Sequence, residues 1–285
     1  MNASEKASSL IGLWRRLPVV VRAIIIGMVI LNLGQAPAFL VLWTNLKIAP
    51  QVPLFLPVAA LWLWIFWRYV GGAWWPVGTS AQRRLELRAA PLPDSLWGWS
   101  LIAGGLGMAC VMSMALLTGQ VADLPGQALA APLDLSSYPW WTTLAFFLAL
   151  ASTAGVVEEA AFRGYMLSLI QRRHGWPIAI LLVAAVFWVA HLSHAYATIA
   201  FLPFFAVYSA LHGFLVYLTR SIRPSVVLHA LGDLAILPIQ YGVVPLPFGS
   251  GYTPYLICVA LFGIAAAIAF SKLANLTRAQ RSSVA

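Results

Sequence analysis

Apolar residues follow one another in runs of about 17 to 29 along nearly the whole chain, broken by short clusters of arginine, proline or polar residues. A helix needs roughly 20 apolar residues to cross a hydrocarbon core, so each run is a candidate span. Taking charge, proline and polar clusters as boundaries predicts helices near 18–43, 53–70, 97–118, 141–169, 177–194, 199–219, 224–241 and 254–273. The fifth and sixth lie close together and the seventh is short, which leaves room for a broken segment there. The fold class read from this pattern is all-α, a polytopic membrane bundle of about eight transmembrane helices forming a single domain over 1–285.

Composition agrees: 61% of residues are hydrophobic and 9% charged, against about 25% charged in an ordinary soluble domain. The formal charge of +9 raises nucleic acid as a partner. The basic residues, however, sit in short clusters between apolar runs, which is the topology signal of membrane proteins, and no nucleic-acid partner is expected. With the amino terminus cytoplasmic, Lys6, Arg15 and Arg16, then Arg68, Arg83, Arg84 and Arg88, Arg172 and Arg173, Arg220 and Arg223, and Lys272, Arg278 and Arg281 all fall on one side. Only Lys47 falls on the other, and the 119–140 loop carries Asp123 and Asp134 without Lys or Arg. Eight spans with both termini cytoplasmic satisfy the positive-inside rule. The run from 17 to 43 is too long for a signal-peptide core of about 7–15 residues, and "QAPA" at 35–38 is read as part of a retained first span. Tryptophans at 74, 75, 97, 99, 140 and 141 mark helix ends at the interface. Cys110 and Cys258 have no CxxC spacing and are read as helix-packing residues.

Inside the spans stand Glu158, Glu159, Arg163, His191, His194, His212, His229 and Asp233, with Arg22 close enough to an end to snorkel. Each charged side chain at a helix centre costs roughly 2.5–3.5 kcal/mol, so such a set points to function. At 1.5 Å per residue, Glu158, His191, His229 and Asp233 lie about 7–21 Å from the basic edge, within reach of one cavity expected in the cytoplasmic half and opening to the cytoplasmic side. Glu159 and Arg163 are i,i+4 and can pair on one helix face, as can His229 and Asp233, leaving Glu158 about 100° away. Phe187 and His191 share the same spacing. His194 reads as a solvated residue near the far interface, His212 as a helix–helix hydrogen-bonding residue, and His174 as part of a cytoplasmic turn.

"EEAAFR" (158–163), "FWVAH" (187–191) and "HALGD" (229–233) resemble the motifs EExxxR, FxxxH and HxxxN/D of the CPBP family, the CAAX-processing and bacteriocin-processing (Abi-like) intramembrane proteases that include the CAAX prenyl endopeptidases. The family-like core spans about 141–241. The resemblance implies a membrane-embedded helical bundle that hydrolyses peptide bonds by a glutamic-type mechanism without a cofactor. Carried over by motif position, Glu158 activates water with His191, Glu159 and Arg163 hold the helix and cavity, and His229 with Asp233 faces the oxyanion. Asp233 stands where the family often has Asn, so it is either protonated or orients His229, the latter being favoured by their spacing. The implied partners are membrane lipid and a membrane-associated peptide or protein: a CAAX-type tail, prenylated or not, a leader peptide, or a small membrane protein. Three other readings stay open: zinc held by Glu158, His191 and His229, an ion-coupled transporter, and a non-catalytic scaffold or immunity protein.

Overall fold

The computed structural model describes residues 12–121, 133–194, 197–245 and 251–282; Lys6 and Asp123 lie outside them. The described residues are helical with no strand. The long helices are α1 (Val19–Ile48) and α2 (Phe55–Val70), a short α3 (Ser80–Leu87), α4 (Asp94–Val121), α5 (Trp140–His174), α6 (Trp176–Ala190), α7 (Leu202–Thr219), α8 (Arg223–Gln240) and α9 (Tyr252–Ser282). Prolines punctuate the starts: Pro18 and Pro139 precede α1 and α5, and Pro177, Pro203 and Pro224 occupy the first turns of α6, α7 and α8, where a missing N–H costs nothing.

Five helical segments, Val19–Ile48, Asp94–Val121, Trp140–His174, Ile199–Thr219 and Tyr252–Ser282, are long and apolar enough to cross a membrane. The helices α2 and α6 are apolar but have 16 and 15 residues, about 22–24 Å of rise, while α8 carries much of the polar site. The outer surface is apolar: Leu33, Leu40, Leu181, Ile264 and Ile268 are all exposed, whereas Glu159, Arg163, His212 and Ser225 are buried. Polar groups inside and aliphatic groups outside are what a lipid-facing bundle requires. The chain is an integral membrane protein.

The helices alternate in direction, so the ends of α2, α5, α7 and α9 meet the starts of α1, α4, α6 and α8 at one end of the bundle. That end holds the arginine clusters, and Arg281 Nη2 donates to the Leu218 carbonyl across it at 3.1 Å. At the opposite end Trp141 Nε1 donates to Gln51 O at 2.9 Å. Exposed Trp75 belongs to the basic end and exposed Trp140 to the other, the two levels at which indole rings prefer a bilayer.

Three departures from the expected pattern shape the site. First, α5 changes gauge: Glu159–Met166 is a π-helical stretch inside a helix that is otherwise α, a form concentrated at functional sites. Second, α6 ends at Ala190, not near 194, placing His191 in the turn that follows. Third, α3 is an amphipathic helix that the search for apolar runs passes over. Its Glu86, nearly fully buried, accepts from Gln82, Ser168 and Arg172, which seats α3 on α5. Close packing of α5 on α8 depends on Gly155, where a Cβ would stand 3.0 Å from the Val226 carbonyl oxygen and 3.1 Å from the Ala230 nitrogen. That approach carries the two glutamates to within reach of His229.

Candidate active site

The polar side chains form two layers. The lower layer is closed and centred on Glu159. Its Oε1 accepts from Arg163 Nη1 at 2.9 Å and from His229 Nδ1 at 2.9 Å, and its Oε2 accepts from Ser225 Oγ at 2.5 Å. Paired with a guanidinium, Glu159 is an acceptor only, so the proton in the His229 contact resides on Nδ1. Ser225 has spent its single proton on Glu159, so the 2.6 Å contact between its Oγ and His212 is donated by His212 Nδ1. His212 thus makes the expected helix–helix bond. Glu159 and Arg163 are both fully buried, and their pairing is what makes either charge tolerable there. The Arg163 guanidinium also lies 4.7 Å from the centre of the Phe187 ring, a cation–π contact. The same ring lies 4.4 Å from that of His191, so Phe187 covers the arginine with one part of its surface and packs the histidine with another.

The upper layer is open. Gln35 Nε2 on α1 donates to Glu158 Oε1 at 3.0 Å, and Glu158 Oε2 is buried without a hydrogen-bond partner. Two imidazoles face that oxygen: His191 Nε2 at 3.9 Å and His229 Nε2 at 3.8 Å. His191 is held from behind through its Nδ1, 2.7 Å from the Phe187 carbonyl, which leaves Nε2 toward Glu158. Separations near 3.8 Å are too long for direct hydrogen bonds and suit a bridging oxygen. Asp233 Oδ2 lies 3.7 Å from His229 Nε2. A cavity of about 190 Å³ opens over these groups, walled by Phe39, Met112, Leu150, Phe204 and Leu237.

The structure brings Glu158, Glu159, Arg163, Phe187, His191, His229 and Asp233 together. It changes two expectations. The carboxylate that fixes the His229 ring through Nδ1 is Glu159, crossing from α5, and not Asp233: one helical turn along α8 brings Asp233 only to the Nε2 side. The cavity also does not open toward the basic end. Its walls run from Glu158 through Ala154 to Leu150 on α5 and from Asp233 through Leu237 to Gln240 on α8, which is toward the opposite end, where the short α6 stops. His194, expected at that interface, is exposed and borders the cavity.

Gln35 and Ser225 are site residues that sequence reasoning missed. An amide within a leucine- and alanine-rich span was a signal, but its partner is 123 positions away. Gln35→Leu removes the one donor that reaches Oε1 among the described residues. Hydrogen bonds to charged groups are worth about 1.5–3 kcal/mol, so turnover is expected to fall roughly 10- to 100-fold, measured as initial rates on variants whose melting is compared with wild type.

Residues 139–235 match the family model described as type II CAAX prenyl endopeptidase Rce1-like. No curated protein and no solved structure matches the chain.

Proposed function

We propose that this chain, whose residues 139–235 match the model of type II CAAX prenyl endopeptidase Rce1-like proteins, is an intramembrane endopeptidase in which Glu158 activates the attacking water. The observation that carries the reading is the state of the Glu158 carboxylate: one oxygen is tied down by Gln35, and the other is buried, unpartnered and faced by two imidazole nitrogens. Water seated there loses a proton to Oε2 as its oxygen attacks the scissile carbonyl carbon, with His191 Nε2 orienting it. An imidazole flanked by carboxylates at both nitrogens, Glu159 at Nδ1 and Asp233 near Nε2, is set to carry both protons. His229 Nε2–H then faces the developing oxyanion, and Asp233 acts by keeping that proton in place. When the carbon–nitrogen bond breaks, the proton held by Glu158 passes to the leaving amine.

Zinc is the competing arrangement. Glu158 Oε2 stands 3.8 and 3.9 Å from the two nitrogens, wider than the roughly 3.3 Å edge of a tetrahedron with bonds of about 2.0–2.1 Å. Among the described residues no group of three or more His, Cys, Asp or Glu has metal-holding spacing. The donor geometry therefore favours a metal-free site.

By the positive-inside rule the arginine end, which holds the start of α1 and the end of α9, faces the cytoplasm in this reading. The cavity then opens toward the opposite face. That direction favours a leader peptide or small membrane protein, reached from within or across the bilayer, over a cytosolic CAAX-type tail. Offering both peptide classes to the purified chain tests this: leader-like peptides are expected to be hydrolysed faster. Preference for CAAX-like tails would reverse the substrate assignment, and cleavage of neither would favour a scaffold or transporter.

A further inference from the structure

The bundle contains a second, larger cavity of about 1050 Å³ at its basic end, remote from Glu158. Seven arginines line it and, among the described residues, no carboxylate does. They come from separate elements: Arg68 ends α2, Arg88 follows α3, Arg172 belongs to the last turn of α5, Arg220 and Arg223 flank the α7–α8 turn, and Arg281 ends α9. The nearby Glu86 is already engaged by Arg172, Ser168 and Gln82. Among the described residues, the other arginines of the cavity have neutral partners or none. Arg88 donates to Gln171 Oε1, Arg223 to the Ala89 carbonyl and Arg281 to the Leu218 carbonyl.

Two features show that this is more than a set of topological charges. Arg88 and Arg220 both have left-handed backbones, with φ of 51° and 55°, at helix ends where glycine or asparagine is usual. Glycine would relieve the strain, so the arginine side chain accounts for the residue choice. The two corners are also stitched face to face: Ile222 N donates to Arg88 O at 2.9 Å, Ser221 Oγ to Ala90 O at 2.8 Å and Arg223 Nε to Ala89 O at 2.8 Å. Like charges are thereby held together around the cavity. Burial above all pushes the Arg88 guanidinium below its ordinary value; Glu86 opposes the shift, and Arg172 and Arg220 add to it.

We propose that this cavity binds a phosphate-bearing anion, most readily the headgroup of an anionic phospholipid, since it lies where the helices leave the membrane. Guanidinium forks match phosphate oxygens, basic pockets between transmembrane helices are suited to acidic headgroups, and Trp67 and Tyr217 supply an aromatic wall.

The test uses the full chain in phosphatidylcholine nanodiscs, in discs containing phosphatidylglycerol, and in phosphatidylcholine discs with inorganic phosphate against chloride at matched ionic strength. Phosphatidylglycerol is expected to raise the melting temperature, and Arg220→Gly to reduce that rise by weakening headgroup affinity about tenfold. Arg220→Gly relieves a left-handed residue, so it should melt no lower than wild type in pure phosphatidylcholine. Arg68→Gln should reduce the shift likewise, while Arg278→Gln, exposed and outside the cavity, should leave it intact. A rise with inorganic phosphate alone would support the site and assign a soluble source. No response to either anion, or a response unchanged in Arg220→Gly and Arg68→Gln, would overturn the proposal.

Discussion

Glu158→Gln is expected to lower peptide cleavage by about 10³-fold or more, within the range spanned by loss of a general base, while leaving the fold in place. The substitution keeps the shape of the side chain and an acceptor for Gln35. It removes the carboxylate proposed to take the proton of a water lying between Oε2 and His191. The lower layer is untouched, because its bonds run through Glu159, Ser225, His212 and Arg163. Matched melting curves with a collapsed rate would therefore place the defect in chemistry. A scaffold or immunity protein would show no functional loss, and a protein that unfolds on this change would contradict the two-layer description.

Arg163→Leu should produce the opposite phenotype, a failure of stability. The guanidinium and the Glu159 carboxylate are both fully enclosed, and removing one partner of a buried pair costs about 3–5 kcal/mol. For a chain of this size that is on the order of 10 °C in melting temperature, readable in detergent by tryptophan fluorescence. Adding Glu159→Leu should recover part of the lost stability, since it removes the stranded charge. Activity should not return, because Glu159 also holds His229 through Nδ1. Stability and activity separating in the double variant is a result that a purely structural ion pair would not give.

The helices and their polar contents were legible because membrane helices follow local rules. Apolar runs, prolines at first turns and arginine clusters placed the eight long helices described, most ends within a few residues and the ends of α1, α5 and α9 farther out. The Glu159–Arg163 pair was equally legible, being one turn apart. What escaped was cross-chain or geometric. The bond from Glu159 to His229 joins residues 70 positions apart, and that from Gln35 to Glu158 spans 123; neither leaves a trace in local spacing. The π-helical stretch after Glu158 has no hydrophobic period to announce it, and α3 was hidden by its polarity. Depth counted along helices put Glu158, His191, His229 and Asp233 at a common level but could not show which way the cavity opens, and α6 stops four residues earlier than its apolar run suggested.

The most direct test is hydrolysis by wild-type protein stripped with a strong chelator, its metal content measured, in water enriched in oxygen-18. Peptides of both classes are supplied and the products read by mass spectrometry. The expected result is a new carboxyl terminus carrying one label, formed at an undiminished rate by protein without bound metal. Cleavage that vanishes on chelation and returns with zinc would contradict the metal-free Glu158 site, and the absence of any cleaved product across the panel would contradict the assignment as a protease.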